Sequence, residues 1–189
     1  MIVTERLLLR SWEERDREPY HAIKSDPLVM ATLGPLQSRE ESDATIDLLR
    51  LRQAEWGHSF WAVERRADSV LLGYCGLSHA PAGTPVAGEL EIGWGLGSAH
   101  WRQGYAREAA TATLPWAWAK TDRDRVVAIT TPGNRASWGL MERLGMTRIP
   151  GATFDHPALA AGDPLRPHVS YAIARPGTRR ATDTIVRPR

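Results

Sequence analysis

The chain holds a single cysteine, Cys75, in 189 residues, which excludes an internal disulfide and a multi-cysteine metal cluster. Cys75 lies in the run Leu71-Leu72-Gly73-Tyr74-Cys75-Gly76-Leu77 with no recognisable base beside it, so it reads as a small buried hydrophobe rather than a thiol nucleophile. No apolar run approaches the roughly 18 residues of a membrane span. The opening residues Met1-Ile2-Val3-Thr4-Glu5-Arg6 also lack the basic segment and apolar stretch of a secretory signal. A soluble cytoplasmic protein without membrane contact is the expectation. Internal repeats are absent, and no linker is able to divide two domains.

What is present suits one globular unit: 42% hydrophobic residues in a chain of 189 can supply a core without a metal. The net charge of +2 is unevenly spread, because residues 175–189 carry five arginines against Asp183 and leave the preceding residues two charges negative. That segment has almost nothing apolar to bury. The expected organisation is a domain over 1–174 followed by a disordered basic tail, with any nucleic-acid contact confined to the tail.

Residues 6–10 read as an opening strand. Two helical stretches follow, the second beginning in the capping box Ser38-Arg39-Glu40-Glu41 and stopping at Gly57. Three strand-like runs over 59–65, 70–77 and 88–96 have short connections, which implies an antiparallel meander. An alanine-rich helix over 105–119 then leads to a β-branched run at 125–131, which predicts a right-handed parallel crossover and hence a mixed sheet. A further helix over 134–144 ends at Gly145. Final strands at 145–149 and 168–174 enclose a polar insertion.

The most informative segment is Glu91-Ile92-Gly93-Trp94-Gly95-Leu96-Gly97-Ser98-Ala99-His100-Trp101-Arg102-Gln103-Gly104-Tyr105-Ala106, a strand passing through a tight turn into a helix. Small residues at Gly104 and Ala106 allow a ligand to approach the backbone closely. The free N–H groups of the turn, with the helix dipole behind them, suit an anion such as a pyrophosphate.

This segment resembles the GNAT superfamily of acetyltransferases, in particular its Rim-type branch of ribosomal-protein N-terminal acetyltransferases. Trp101, Gly104 and Ala106 fall on the family's turn pattern, with Trp101 in place of the usual Gln or Arg. Thr4-Glu5-Arg6-Leu7-Leu8-Leu9-Arg10 resembles the branch's opening strand and Glu91-Ile92-Gly93-Trp94 its central strand. Asn134-Arg135-Ala136-Ser137 with Glu142-Arg143-Leu144-Gly145-Met146 resembles its last core helix. Phe154-Asp155-His156-Pro157 and Pro164-Leu165-Arg166-Pro167-His168-Val169 match a later pattern of some members.

The resemblance implies an α/β fold of the GNAT type: a mixed, mostly antiparallel sheet of six or seven strands with a central V-shaped splay and helices on both faces. It implies acetyl-CoA as cosubstrate, no metal, a primary amine (a protein N-terminus or a small molecule) as acceptor, and, by family habit, a homodimer. A non-catalytic acyl-CoA sensor on the same fold is the alternative. Trp94 and Leu96 match the strand positions whose backbone holds pantetheine. Trp101, Arg102, Gln103, Gly104, Tyr105 and Ala106 match the pyrophosphate turn. Asn134 matches a residue on the cofactor arm, and it also suits a helix N-cap. Many family members carry a tyrosine acid where this chain has Met141, which leaves Ser137 to assist the departing thiolate. For the base, Glu91 is the first choice and Glu89, Asp155 and His156 are alternatives, His156 because an imidazole titrates near neutrality.

Overall fold

The computed structural model describes residues 1–178. Its centre is an eight-stranded sheet in the order β1-β2-β3-β4-β5-β6-β8-β7. The strands are β1 (Ile2–Val3), β2 (Leu7–Arg10), β3 (Phe60–Arg65), β4 (Val70–His79), β5 (Leu90–Leu96), β6 (Arg125–Thr130), β7 (Thr147–Asp155) and β8 (Pro167–Ala174). Every pairing is antiparallel except β5 with β6. That step is bridged by helix α4 (Tyr105–Lys120), as the crossover rule requires.

Two differences from the sequence reading have local causes. The eighth strand is the two-residue β1, which folds back on β2 with Ile2 opposite Leu9. Strand β7 extends to Asp155 rather than stopping at residue 149, with an irregularity between Arg148 and Thr153 that contains Pro150 and Gly151. It is the last strand of the sheet, where a missing N–H costs no ladder bond.

The two faces of the sheet are covered by different helices. On one, α1 (Arg17–Lys24) and α3 (Arg39–Trp56) bury Tyr20, Ile46 and Leu49 with Ala62 and Leu71, and the short α2 (Pro27–Met30) follows α1. On the other, α4 and α5 (Arg135–Arg143) place Ala109, Leu114 and Met141 against Leu77, Ile92 and Ala128. Cys75 lies in this second core, fully buried, and desolvation pushes its thiol up to about 12, as befits an inert side chain.

The α1 face is fixed to the sheet by a buried ionic knot. Arg10 donates to both Asp16 carboxylate oxygens at 2.6 and 2.8 Å and to Glu64 at 2.8 Å, all three residues being under 7% exposed. At the far end, Arg175 donates to the carbonyl of Trp118 in the last turn of α4 and to those of Thr121 and Arg123 just beyond it, a favourable place for a cation. The first residue assigned to the basic tail is thus tied to the body. Residues 179–189, where the rest of that tail falls, lie outside the described residues.

Candidate active site

Strands β5 and β6 meet in a single register pair, Glu91 opposite Val127, and then part. Gly97 N donates to Leu72 O at 2.9 Å and Ala80 N to Glu89 O at 2.8 Å. This sets the antiparallel alternation, turning the backbone groups of residues 91, 93 and 95 toward β4 and those of Ile92, Trp94 and Leu96 toward β6. Beyond the Glu91 pair, the groups of Trp94 therefore have no strand to bond. The Leu96 carbonyl accepts from the indole of Trp101 at 2.8 Å, so of the two expected backbone positions Trp94 is the open one.

A cavity of about 750 Å³ passes through this gap, bordered by β5, the 100–107 corner, α5 and residues 28–33. At the corner Arg102 has φ +60° and Gly104 φ +82°. The first helical bond runs from Glu108 N to Gly104 O, which leaves the N–H groups of Tyr105, Ala106 and Arg107 without helix acceptors. Arg6 braces the turn: it donates to Gln103 O at 3.0 Å, pairs with Glu108 at 2.6 Å and lies 4.6 Å over the Tyr105 ring. The opening motif around Arg6 thus acts on the corner 97 residues away. Arg102, Arg107, Arg135 and Arg143 line the cavity, and among the described residues none is in a salt bridge.

On α5, the Asn134 side chain accepts from Ser137 N at 3.1 Å, so Asn134 is an N-cap and also lines the cavity. Ser137 lines the cavity, and its hydroxyl makes no hydrogen bond among the described residues. One turn on, Met141 is 1% exposed and contributes only apolar surface.

Glu91 is on the opposite face of β5. Its neighbours in alternation, Gly93 and Gly95, leave space filled by the rings of Phe60 and Tyr74, which approach within 3 Å of where their Cβ atoms would be. Burial pushes the Glu91 carboxyl up to about 8 and the Tyr74 phenol up to about 12. Glu89 is instead committed to a bidentate pair with Arg125. Asp155 pairs with Arg166 at 3.1 Å.

The structure gathers Glu91, Trp94, Leu96, Trp101, Arg102, Gly104, Tyr105, Ala106, Asn134 and Ser137 around one cavity. It does not bring two other expected residues there. Gln103 turns its amide onto Ala99 O at 3.0 Å. His156 stands at the end of the β7–β8 hairpin, its ring 4.8 Å from that of His168, away from the cavity lining. Sequence reasoning missed Phe60, Tyr74 and residues 28–33. The alternating pair Gly93 and Gly95 was their one local signal, since glycine on one face of a strand marks a close approach.

The Acetyltransferase (GNAT) domain family matches residues 6–147. The chain belongs to the GNAT acetyltransferase family. The acetyltransferase is 30% identical to YkkB of Bacillus subtilis over 146 residues, 77% of this chain and 84% of that protein. A GNAT-family acetyltransferase from Bacillus anthracis superposes with a TM-score of 0.74 at 27% identity, covering 92% and 97% of the two chains. The ribosomal L7/L12 α-N-protein acetyltransferase RimL, solved with coenzyme A, shares the fold at a TM-score of 0.72 and 18% identity, covering 91% and 96%. The sheet, the splay and the two helical faces of the acetyltransferase are those of the family.

Proposed function

We propose that the protein is an acetyl-CoA:amine N-acetyltransferase that works by direct transfer to a primary amine. One observation carries this reading: a single cavity penetrates the parted strands with Ser137 on the α5 side and Glu91 on the α1 side. The residues suit acetyl-CoA as substrate. Backbone N–H groups of 105–107 are free to receive a diphosphate, four arginines without ionic partners among the described residues border the site, and the open carbonyl of Trp94 suits an amide N–H of an extended pantetheine arm. RimL, which shares the fold, has been solved with coenzyme A.

In this reading Glu91 accepts a proton from the bound ammonium. The freed lone pair attacks the thioester carbonyl carbon, and Trp94 N–H donates to the oxygen as it becomes anionic. The C–S bond then breaks with Ser137 donating a hydrogen bond to the departing thiolate, and the second proton of the former ammonium passes from the nitrogen to that thiolate, so that the amide and the free thiol leave. A hydroxyl suffices there, because a thiol of pKa about 8.5 leaves without full protonation.

Glu91, held near 8 by burial, is matched to an α-amine of pKa about 8 rather than to a lysine near 10.4. The acceptor is therefore an α-amine or another amine of depressed pKa. The test measures thiol release with matched peptides, one offering a free N-terminus and the other a single lysine behind a blocked N-terminus. The free N-terminus should give the higher kcat/KM, and a clear preference for lysine would refute the acceptor assignment.

A further inference from the structure

The two ends of the cavity differ in chemistry, and the difference bears on the acceptor. All four arginines belong to the α4 and α5 side: Arg102 and Arg107 at the corner that starts α4, Arg135 and Arg143 on α5. Across the sheet, the other end is bounded by Leu28, Val29, Leu33, Phe60 and Tyr74, with Thr32 between them. Tyr74 sits in the core beneath α1, 6.4 Å from Tyr20. Leu28 and Leu33 line the cavity and remain 67% and 40% exposed, so the surface offered to an incoming acceptor at this end is apolar.

Glu91 is the one formal charge on this wall. Lys24, on the nearby α1, is buried and does not line the cavity. His100, which does, is pushed by burial toward its neutral form. A free amino acid entering here would place its carboxylate against leucine and aromatic rings with no cation on that wall to receive it, which disfavours its binding. A polyamine would bring a second ammonium with no second carboxylate.

We infer that the acceptor is a monoamine bearing an apolar or aromatic group next to the nitrogen and no neighbouring carboxylate. The inference rests on the acetyl-transfer reading above. Two sources share this chemistry, a free α-amino amide and the first residue of a peptide. Acceptor and cosubstrate thus approach from opposite faces of the sheet, sorted by charge: the anionic cosubstrate at the arginines, the apolar amine at the leucines and rings.

The experiment compares kcat/KM by thiol release for phenylalaninamide, glycinamide, free phenylalanine and putrescine, and for a tetrapeptide beginning with Phe. Phenylalaninamide should exceed glycinamide, phenylalanine and putrescine by at least about tenfold, the scale of discrimination an apolar pocket provides. Comparable or better turnover of phenylalanine or putrescine overturns the inference while acetyl transfer stands. The tetrapeptide against phenylalaninamide separates the two sources. Leu33→Asp, at an exposed position, should shift the putrescine to phenylalaninamide ratio toward putrescine by about fivefold or more, and an unchanged ratio overturns the placement of the acceptor on this wall. If calorimetry shows acetyl-CoA bound yet no amine releases thiol, the acetyl-transfer reading itself fails.

Discussion

Glu91 stands opposite Val127 in the single pair that joins β5 to β6. The pair is therefore the apex of the splay, and it holds the carboxyl where the two strands begin to open. With burial keeping the group near 8, about a tenth is ionised at pH 7. The rate of acetyl transfer should rise with pH through about 8. Glu91→Gln should lower kcat/KM by about 10²-fold or more and abolish this limb of the pH profile; a parent-like profile in the variant would remove Glu91 as the base.

The same shift has a consequence for stability. A carboxyl near 8 when folded and about 4.3 when unfolded binds more protons in the native state across that window. Its contribution is fully present below about pH 4.3 and is lost as pH rises toward 8. Glu91→Gln should therefore raise Tm relative to the parent at pH 8.5 and change it much less at pH 4.5.

Gly104 has φ +82° at the mouth of α4, a left-handed conformation that a β-branched residue adopts only with strain, and a Cβ there would meet, at 3.4 Å, the Arg6 guanidinium that braces the turn assigned to the diphosphate. Gly104→Val should weaken acetyl-CoA binding at least tenfold, about 1.4 kcal/mol. Calorimetry on a variant with parent-like circular dichroism checks this, and unchanged affinity would reject the assignment.

Ser137→Ala removes a hydroxyl that has no other hydrogen bond among the described residues, while the Asn134 cap is to the backbone N of Ser137 and survives. A fall in kcat of about tenfold with little change in acetyl-CoA affinity is expected. Equal turnover would return Ser137 to a structural role.

The Arg10, Asp16 and Glu64 knot ties the segment leading into α1 to β2 and β3. Asp16→Ala strands part of a buried charge and should destabilise the protein by about 3–5 kcal/mol, measured by urea unfolding. A loss below about 1 kcal/mol would show that water reaches Arg10 readily.

The sequence by itself determined what depends on local spacing. The capping box at Ser38 and the left-handed stop at Gly57 bound α3 as expected. The strand-turn-helix corner with Gly104 at its N-cap is where the glycine pattern put it, and the antiparallel meander followed from short connections. Only the tertiary structure decided which candidates share a site. Period-two alternation sets Glu89 and Glu91 on one face of their strand, but their fates diverged through partners distant in sequence: Arg125 engages Glu89, whereas the parting of β5 from β6 leaves Glu91 at the cavity. His156 was plausible while its loop could be placed anywhere, and the β7–β8 pairing fixed it at the hairpin end. The apolar wall from residues 28–33 and the rings over Gly93 and Gly95 join segments that no local pattern links, because cavity walls are defined by long-range packing, and packing is a property of the folded chain rather than of any stretch within it.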